Sequence, residues 1–99
     1  MIYALLCEDR ENSLEARRLH RPAHLERLVR LRDQGRLVLA GPHPAIDSAD
    51  PGAAGFTGSL IVAEFPSLED AREWADAEPF LKYGVYKSIN VKPLIKVLP

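Results

Sequence analysis

Apolar and polar positions alternate along the chain in blocks with distinct periods. Ile2-Tyr3-Ala4-Leu5-Leu6-Cys7 is a short apolar run without breakers, and its length suits a buried strand better than a helix. Residues Arg10 to Leu19 are polar and helix-tolerant, and their pattern fixes no conformation. Arg21-Pro22 reads as a helix start, because proline suits a first turn and disfavours an interior. From Pro22 to Gln34 the period is helical: Leu25, Leu28 and Leu31 recur on one side, Arg27, Arg30 and Asp33 turn away, and Gly35 sits where a left-handed cap belongs. Leu37 to Ala40 reads as a second strand ended by Gly41-Pro42. The stretch from His43 to Gly58 is rich in glycine and proline and reads as a long loop, a candidate pocket rim.

Ser59 to Phe65 is a third apolar strand stopped by Pro66. Ser67 with Asp70 three residues on is a helix-start signature, and a second helix runs from Leu68 to about Glu78, ended by Pro79. Val85 to Val97 is a fourth strand, with Val85, Ile89, Val91, Ile95 and Val97 on one face and Tyr86, Ser88, Asn90 and Lys92 on the other. Pro93 implies that part of it is an edge or a bend. The order β-α-β-β-α-β predicts an α+β, ferredoxin-like fold with one antiparallel sheet and two helices on one face. The strands hold more Leu, Ile and Val than one face needs. A second copy covering the other face predicts a homodimer of the α+β barrel type.

Composition narrows the function. Ninety-nine residues suit one domain spanning 1–99. Thirteen basic and fourteen acidic residues give a formal net charge of −1, which offers no general attraction to nucleic acid. The one run of arginines is interrupted by Glu15, Glu26 and Asp33 and reads as a solvated helix face. Cys7 is the single cysteine, so no internal disulfide framework is available, and its apolar setting suits a small core residue better than a nucleophile. The apolar start runs directly into Glu8-Asp9, too short to span a bilayer and without a basic leader. A cytoplasmic chain with no membrane partner is expected.

The candidate chemistry centres on His24. On a helical wheel it falls with Leu28 and Leu31, so it is either a satisfied core histidine or the polar floor of a pocket. On the second helix, Glu78 falls between Ala71 and Ala75 on the inward side, whereas Asp76 lies toward the edge and is the alternative partner. The bland reading of Glu78 is a helix end in water. His20 and His24 have i, i+4 spacing, but Pro22 between them argues against a shared helix. No further ligand motif is present, so no metal and no cofactor are expected. Ser59 lies outside any nucleophile elbow. Arg17, Arg21 and Ser59 are lesser candidates for ligand contact, the arginines reading first as solvated.

The chain resembles the YciI-like (YCII-related) family along nearly its whole length. The resemblance rests on Tyr3 to Asp9, Ser13-Leu14-Glu15 with Arg17, Arg21-Pro22-Ala23-His24-Leu25, Gly35-Arg36-Leu37 and Ala40-Gly41-Pro42. It continues through Asp50 to Ser59, Trp74-Ala75, Gly84-Val85-Tyr86 and Val91-Lys92-Pro93. It implies a ferredoxin-like fold, a dimer related to the dimeric α+β barrels, and a pocket with a histidine-aspartate pair proposed to be catalytic. The family's histidine falls on His24. Its aspartate, which precedes a proline, falls on Glu78, so a longer carboxylate stands there. A few relatives act as dehydrochlorinases on chlorinated hydroxyhydroquinones. The expectation is a cofactor-independent acid–base enzyme of lyase or isomerase type, using His24 and Glu78 on a small cyclic or aromatic substrate. The alternative is a non-catalytic small-ligand-binding or accessory domain using the same pocket.

Overall fold

A computed structural model describes residues 1–99. Strand β1 spans Ile2–Asp9, helix α1 Leu14–Asp33, β2 Leu37–Pro44 and β3 Phe56–Glu64. Helix α2 spans Leu68–Asp76, the short α3 Pro79–Lys82 and β4 Tyr86–Leu94, with a single 3-10 turn at Gly52–Ala54. The four strands form one open antiparallel sheet in the order β2-β3-β1-β4. This is the ferredoxin-like α+β arrangement expected from the element order. Both edge strands carry a proline, Pro42 in β2 and Pro93 in β4, where a missing ladder donor does least harm.

The period-2 alternation of β1 and β3 decides which residues meet the helices. Tyr3, Leu5 and Cys7 stand opposite Ala63, Ile61 and Ser59. All six are buried, and α1 and α2 pack over them through Leu28, Leu31, Ala71 and Ala75. Between these strands Gly58 is required, because a Cβ there would run into the carbonyl oxygen of Cys7. The intervening positions Ala4, Leu6, Leu60 and Val62 point to the opposite face. There Leu6 is 42% exposed and Leu39 of edge strand β2 is 47% exposed. No helix covers that side, since two helices span one sheet face only.

Several boundaries differ from the pattern reading; β4, for one, ends at Leu94 rather than Val97, and Ile95 and Val97 are exposed beyond it. Helix α1 begins at Leu14, and Pro22 lies inside it. Proline removes the bond to the Arg18 carbonyl, a cost of about 3 kcal/mol in an isolated helix. Buried side chains on both sides of it, Arg17 before and His24, Leu28 and Leu31 after, tie the two halves to the same core. The helix ends as expected: Gly35 at φ 72° lets the Arg36 N–H reach the Leu31 carbonyl at 2.9 Å. Strand β2 continues through Gly41-Pro42 to Pro44 and β3 starts at Phe56, so the expected loop shrinks to the turn between them. Helix α2 starts where expected, with Ser67 Oγ accepting from the Asp70 N–H at 3.1 Å, but stops at Asp76. Pro79 then opens α3 rather than ending α2. In β4, Glu8 pairs with Ser88 but Asp9 with Tyr86, so the strand bulges at Lys87. The extra residue turns Tyr86 onto the buried face, against the expected alternation.

Candidate functional site

Helix α1 carries one stripe of buried residues, Arg17, His24, Leu28 and Leu31. Spacings of seven, four and three keep them on one side of the helix. His24 is therefore placed by leucine packing. Its ring stacks on Phe80 of α3, with centroids 4.1 Å apart and planes at 12°, and meets Tyr86 edge-on at 6.3 Å. Three packed surfaces fix the imidazole plane without using either ring nitrogen.

Glu78 comes to His24 from the α2–α3 junction. It is the N-cap of α3, in extended backbone, and its carboxylate accepts from the Phe80 N–H at 3.4 Å. The side chain is fully buried. Its Oε1 contacts His24 Nδ1 and its Oε2 accepts from Arg27 Nη1 at 2.6 Å. Arg27 also donates to the Trp74 carbonyl at 2.8 Å and lies over the Trp74 ring at 4.0 Å. A buried carboxylate is stable only when charges and donors surround it, and Glu78 has both. Asp76, the alternative partner, is exposed on α2.

With Glu78 ionised, Nδ1 of His24 carries the proton and donates it to the carboxylate. Nε2 has no protein partner. The Tyr86 hydroxyl is the single sealed side-chain polar atom without a hydrogen bond, so Nε2 is open to solvent. His24 lines a cleft of about 140 Å³ together with Arg17, Arg21, Leu28, Ser59 and Phe80. Four of the five residues singled out in the sequence thus meet at one cleft, and Glu78 stands behind it.

Arg17 is not the solvated residue its polar surroundings suggest. It is 7% exposed and forms a two-point pair with Asp9, Nε to Oδ2 at 3.1 Å and Nη2 to Oδ1 at 3.0 Å. Nη2 also donates to the Gly58 carbonyl at 3.2 Å and to Ser59 Oγ at 3.1 Å. Ser59 is thereby an acceptor for the guanidinium at the cleft wall. Arg21 is exposed at the cleft mouth, as expected. Arg27 and Asp9 are the members that sequence reasoning missed. His20, on the same unbroken helix as His24, stacks on Tyr83 at 4.2 Å. No three His, Cys, Asp or Glu residues gather in a metal-binding arrangement.

Under the cleft, Cys7 and Tyr86 are buried, and burial makes both weaker acids. Burial pushes the Cys7 thiol from 9.0 up to about 12, only partly offset by the neighbouring Tyr86 hydroxyl. Burial raises Tyr86 likewise. Folding therefore favours the protonated thiol. Its contribution to stability is fully present below pH 9.0 and is lost as the pH rises toward about 12. Urea melts between those limits should show the chain weakening, and Cys7→Ala should weaken less steeply. Equal slopes would mean that the thiol does not titrate with unfolding.

Fold and site together define an α+β, ferredoxin-like protein with a buried histidine–carboxylate pair beside a small cleft. The chain belongs to the YCII-related domain family, whose model matches residues 1–95. It is 58% identical over 97 residues to "Protein YciI" of Escherichia coli O6:H1, covering 98% of this chain and 99% of that one. It is 45% identical to a Haemophilus influenzae protein over 97 residues, covering 98% and 99% of the two chains. Among solved structures it resembles the 5-chloro-2-hydroxyhydroquinone dehydrochlorinase TftG of Burkholderia phenoliruptrix AC1100, in complex with 2,5-dihydroxybenzoquinone. The TM-score is 0.83 at 24% identity, covering 97% of this chain and 95% of that one. No helix here is long and apolar enough to cross a membrane.

Proposed function

We propose that the chain is a cofactor-independent acid–base enzyme of lyase or isomerase type, in which His24 moves a proton on a small ring compound. The observation that carries this reading is the Glu78 contact to Nδ1 of His24. It orients the ring, fixes the tautomer and stabilises the imidazolium that forms when Nε2 takes a proton. Neither carboxylate oxygen of Glu78 is left free for the substrate, since Arg27 and His24 hold them. Glu78 accordingly acts through the histidine. Ser59 and Arg17 form part of the wall against which a ligand rests. The dehydrochlorinase relative in fold acts on a six-membered ring, which agrees in size with this cleft.

Solvent-deuterium exchange into small hydroxylated ring compounds tests the proton transfer without requiring the leaving group to be known. The parent chain should catalyse exchange into at least one such compound. His24→Gln should slow it by about 10²–10⁴-fold, the usual worth of a positioned acid–base group. Compounds that bind at the cleft and exchange no faster than in buffer would establish the ligand-binding reading instead.

The working unit in this proposal is a dimer joined through the helix-free sheet face. Leu6, Leu39 and Leu94 are each 40% exposed or more there, on a sheet whose other side is closed by helices. Light scattering at low protein concentration should give twice the 11.0 kDa chain mass. Leu6→Glu, which puts a charge in the middle of the joined faces, should give the single-chain mass. A parent chain that scatters as a monomer would sink the dimer.

A further inference from the structure

The cleft at His24 is one-sided in charge. Arg17, Arg21 and His24 line it, and no carboxylate does. The adjoining hollow shares Arg17, Arg21 and Pro42 and adds Arg18, with one acid, Asp50. The whole chain has a formal charge of −1, so this excess is local. Asp9 pairs with Arg17 from behind, on the core side, where Glu78 also holds the His24 ring. On the cleft side no carboxylate faces Arg17 or Arg21. Arg17 makes all its hydrogen bonds through Nε and Nη2. Its Nη1 makes none, yet it is not a sealed atom, since that description fits the Tyr86 hydroxyl alone. The residue is otherwise more than nine-tenths buried and held at Nε and Nη2, so Nη1 is a fixed donor on a side chain that lines the cleft.

Arg21 has no acidic partner among the ion pairs of the chain. It follows Arg17 by four residues on α1, and like charges at that spacing destabilise a helix. Asp9 offsets that repulsion at Arg17 from the core side, and an anion between the two guanidinium groups would offset it from the cleft side. Arg21 also precedes His24 by three residues, so the two side chains leave neighbouring turns of the helix and line the same cleft. The remaining walls are apolar, among them Leu25, Leu28, Ile61 and Phe80. A volume of about 140 Å³ compares with the ~150 Å³ that suffices for a benzene molecule. One ring fits.

We propose that the ligand of this cleft is a small ring carboxylate, its carboxylate seated on Arg17 Nη1 and Arg21 and its ring against the apolar wall within reach of His24. This deepens the acid–base reading and rests on it for the position of the reacting atom. A carboxylate is favoured over a phenol because it is ionised at neutral pH, whereas a phenol with an ordinary pKa near 10 is not. Its two oxygens also match guanidinium forks.

The test is NMR titration of the full chain with benzoate, benzamide and phenol. Benzoate should shift the side-chain resonances of Arg17, Arg21 and His24 in the millimolar range, more weakly as salt is raised. Benzamide and phenol should bind at least about tenfold less tightly, as expected when a charge-assisted pair is lost. Arg21→Gln should cost benzoate about tenfold, with Arg21→Lys intermediate. Arg21 is exposed, so neither variant removes a core contact. Equal binding of benzoate and benzamide, indifference to Arg21→Gln, or no shift at the cleft with benzoate would each overturn the proposal. Benzoate binding without proton exchange on any ring acid would defeat the catalytic reading and leave the anion site standing. Exchange on neutral rings that benzoate fails to inhibit would do the reverse.

Discussion

Glu78→Ala is expected to lower the stability of the chain by about 3–5 kcal/mol, because it strips the Arg27 guanidinium of its ion partner and the His24 ring of its acceptor. Glu78 is fully buried, and the side chains of His24 and Arg27 are 8% and 18% exposed. Removing the carboxylate leaves Arg27 with the Trp74 carbonyl as its only acceptor. It also opens a void under His24 and takes the cap from the Phe80 N–H. The void and the lost cap act in the same direction as the unpaired guanidinium. Against a typical total of about 5–15 kcal/mol, such a loss is a large part of the margin. Glu78→Gln keeps the volume and an oxygen for the cap, so it should cost less, about 1–3 kcal/mol. It withdraws the negative charge behind His24, so proton exchange should fall in Glu78→Gln even where the fold survives. Asp76→Asn, on the exposed side of α2, should stay within about 0.5 kcal/mol. Urea unfolding at neutral pH compares the three. Indistinguishable midpoints for Glu78→Ala and Asp76→Asn would mean that Glu78 is not the charge that organises this site.

How far these residues could be read beforehand depends on what each one obeys. His24 follows a local rule, the leucine spacing of α1, and the wheel placed it correctly. Glu78 was placed inward by a wheel that does not apply to it, since α2 has ended two residues earlier. Its burial comes from capping α3 at a proline, and Glu78-Pro79 is a legible start signal that the expected continuation of α2 obscured. Arg17, a candidate for ligand contact, reads first as solvated for a related reason. Starting the first helix at Pro22 left it outside any helix, whereas extending that helix back puts Arg17 seven residues before His24 on the same face. The helical wheel turns Arg27 toward solvent. The long side chain then lies over Trp74 to reach Glu78, a contact 51 residues away in sequence that no periodicity encodes. Tyr86 lies on the face opposite to the one its alternation predicts, because one bulged residue reverses all alternation before it.

Asp9→Ala should destabilise the chain by a similar amount, about 3–5 kcal/mol, although Glu8-Asp9 reads in the sequence as no more than the polar end of a strand. The Asp9 side chain is 2% exposed and binds Arg17 at two points. Without it, Arg17 retains only neutral acceptors, the Gly58 carbonyl and Ser59 Oγ. Three aromatic rings lie near its guanidinium, Phe56 at 5.0 Å, Phe80 at 5.1 Å and Tyr86 at 5.9 Å, and ring faces stabilise a cation less than a carboxylate does. Arg17→Met alone should also be costly, because it strands the buried Asp9. The informative variant is Asp9→Ala with Arg17→Met. Replacing both members removes the desolvated charges together, so the double variant should be more stable than the two single losses added, by about 2–3 kcal/mol. Its anion affinity should nevertheless vanish, since the only rigidly held donor of the cleft has gone. Stability and benzoate binding measured across the four proteins separate the two roles of Arg17. A double variant whose loss equals the sum of the singles would show that Asp9 and Arg17 stabilise the fold independently. One that still binds benzoate as the parent does would place the anion elsewhere.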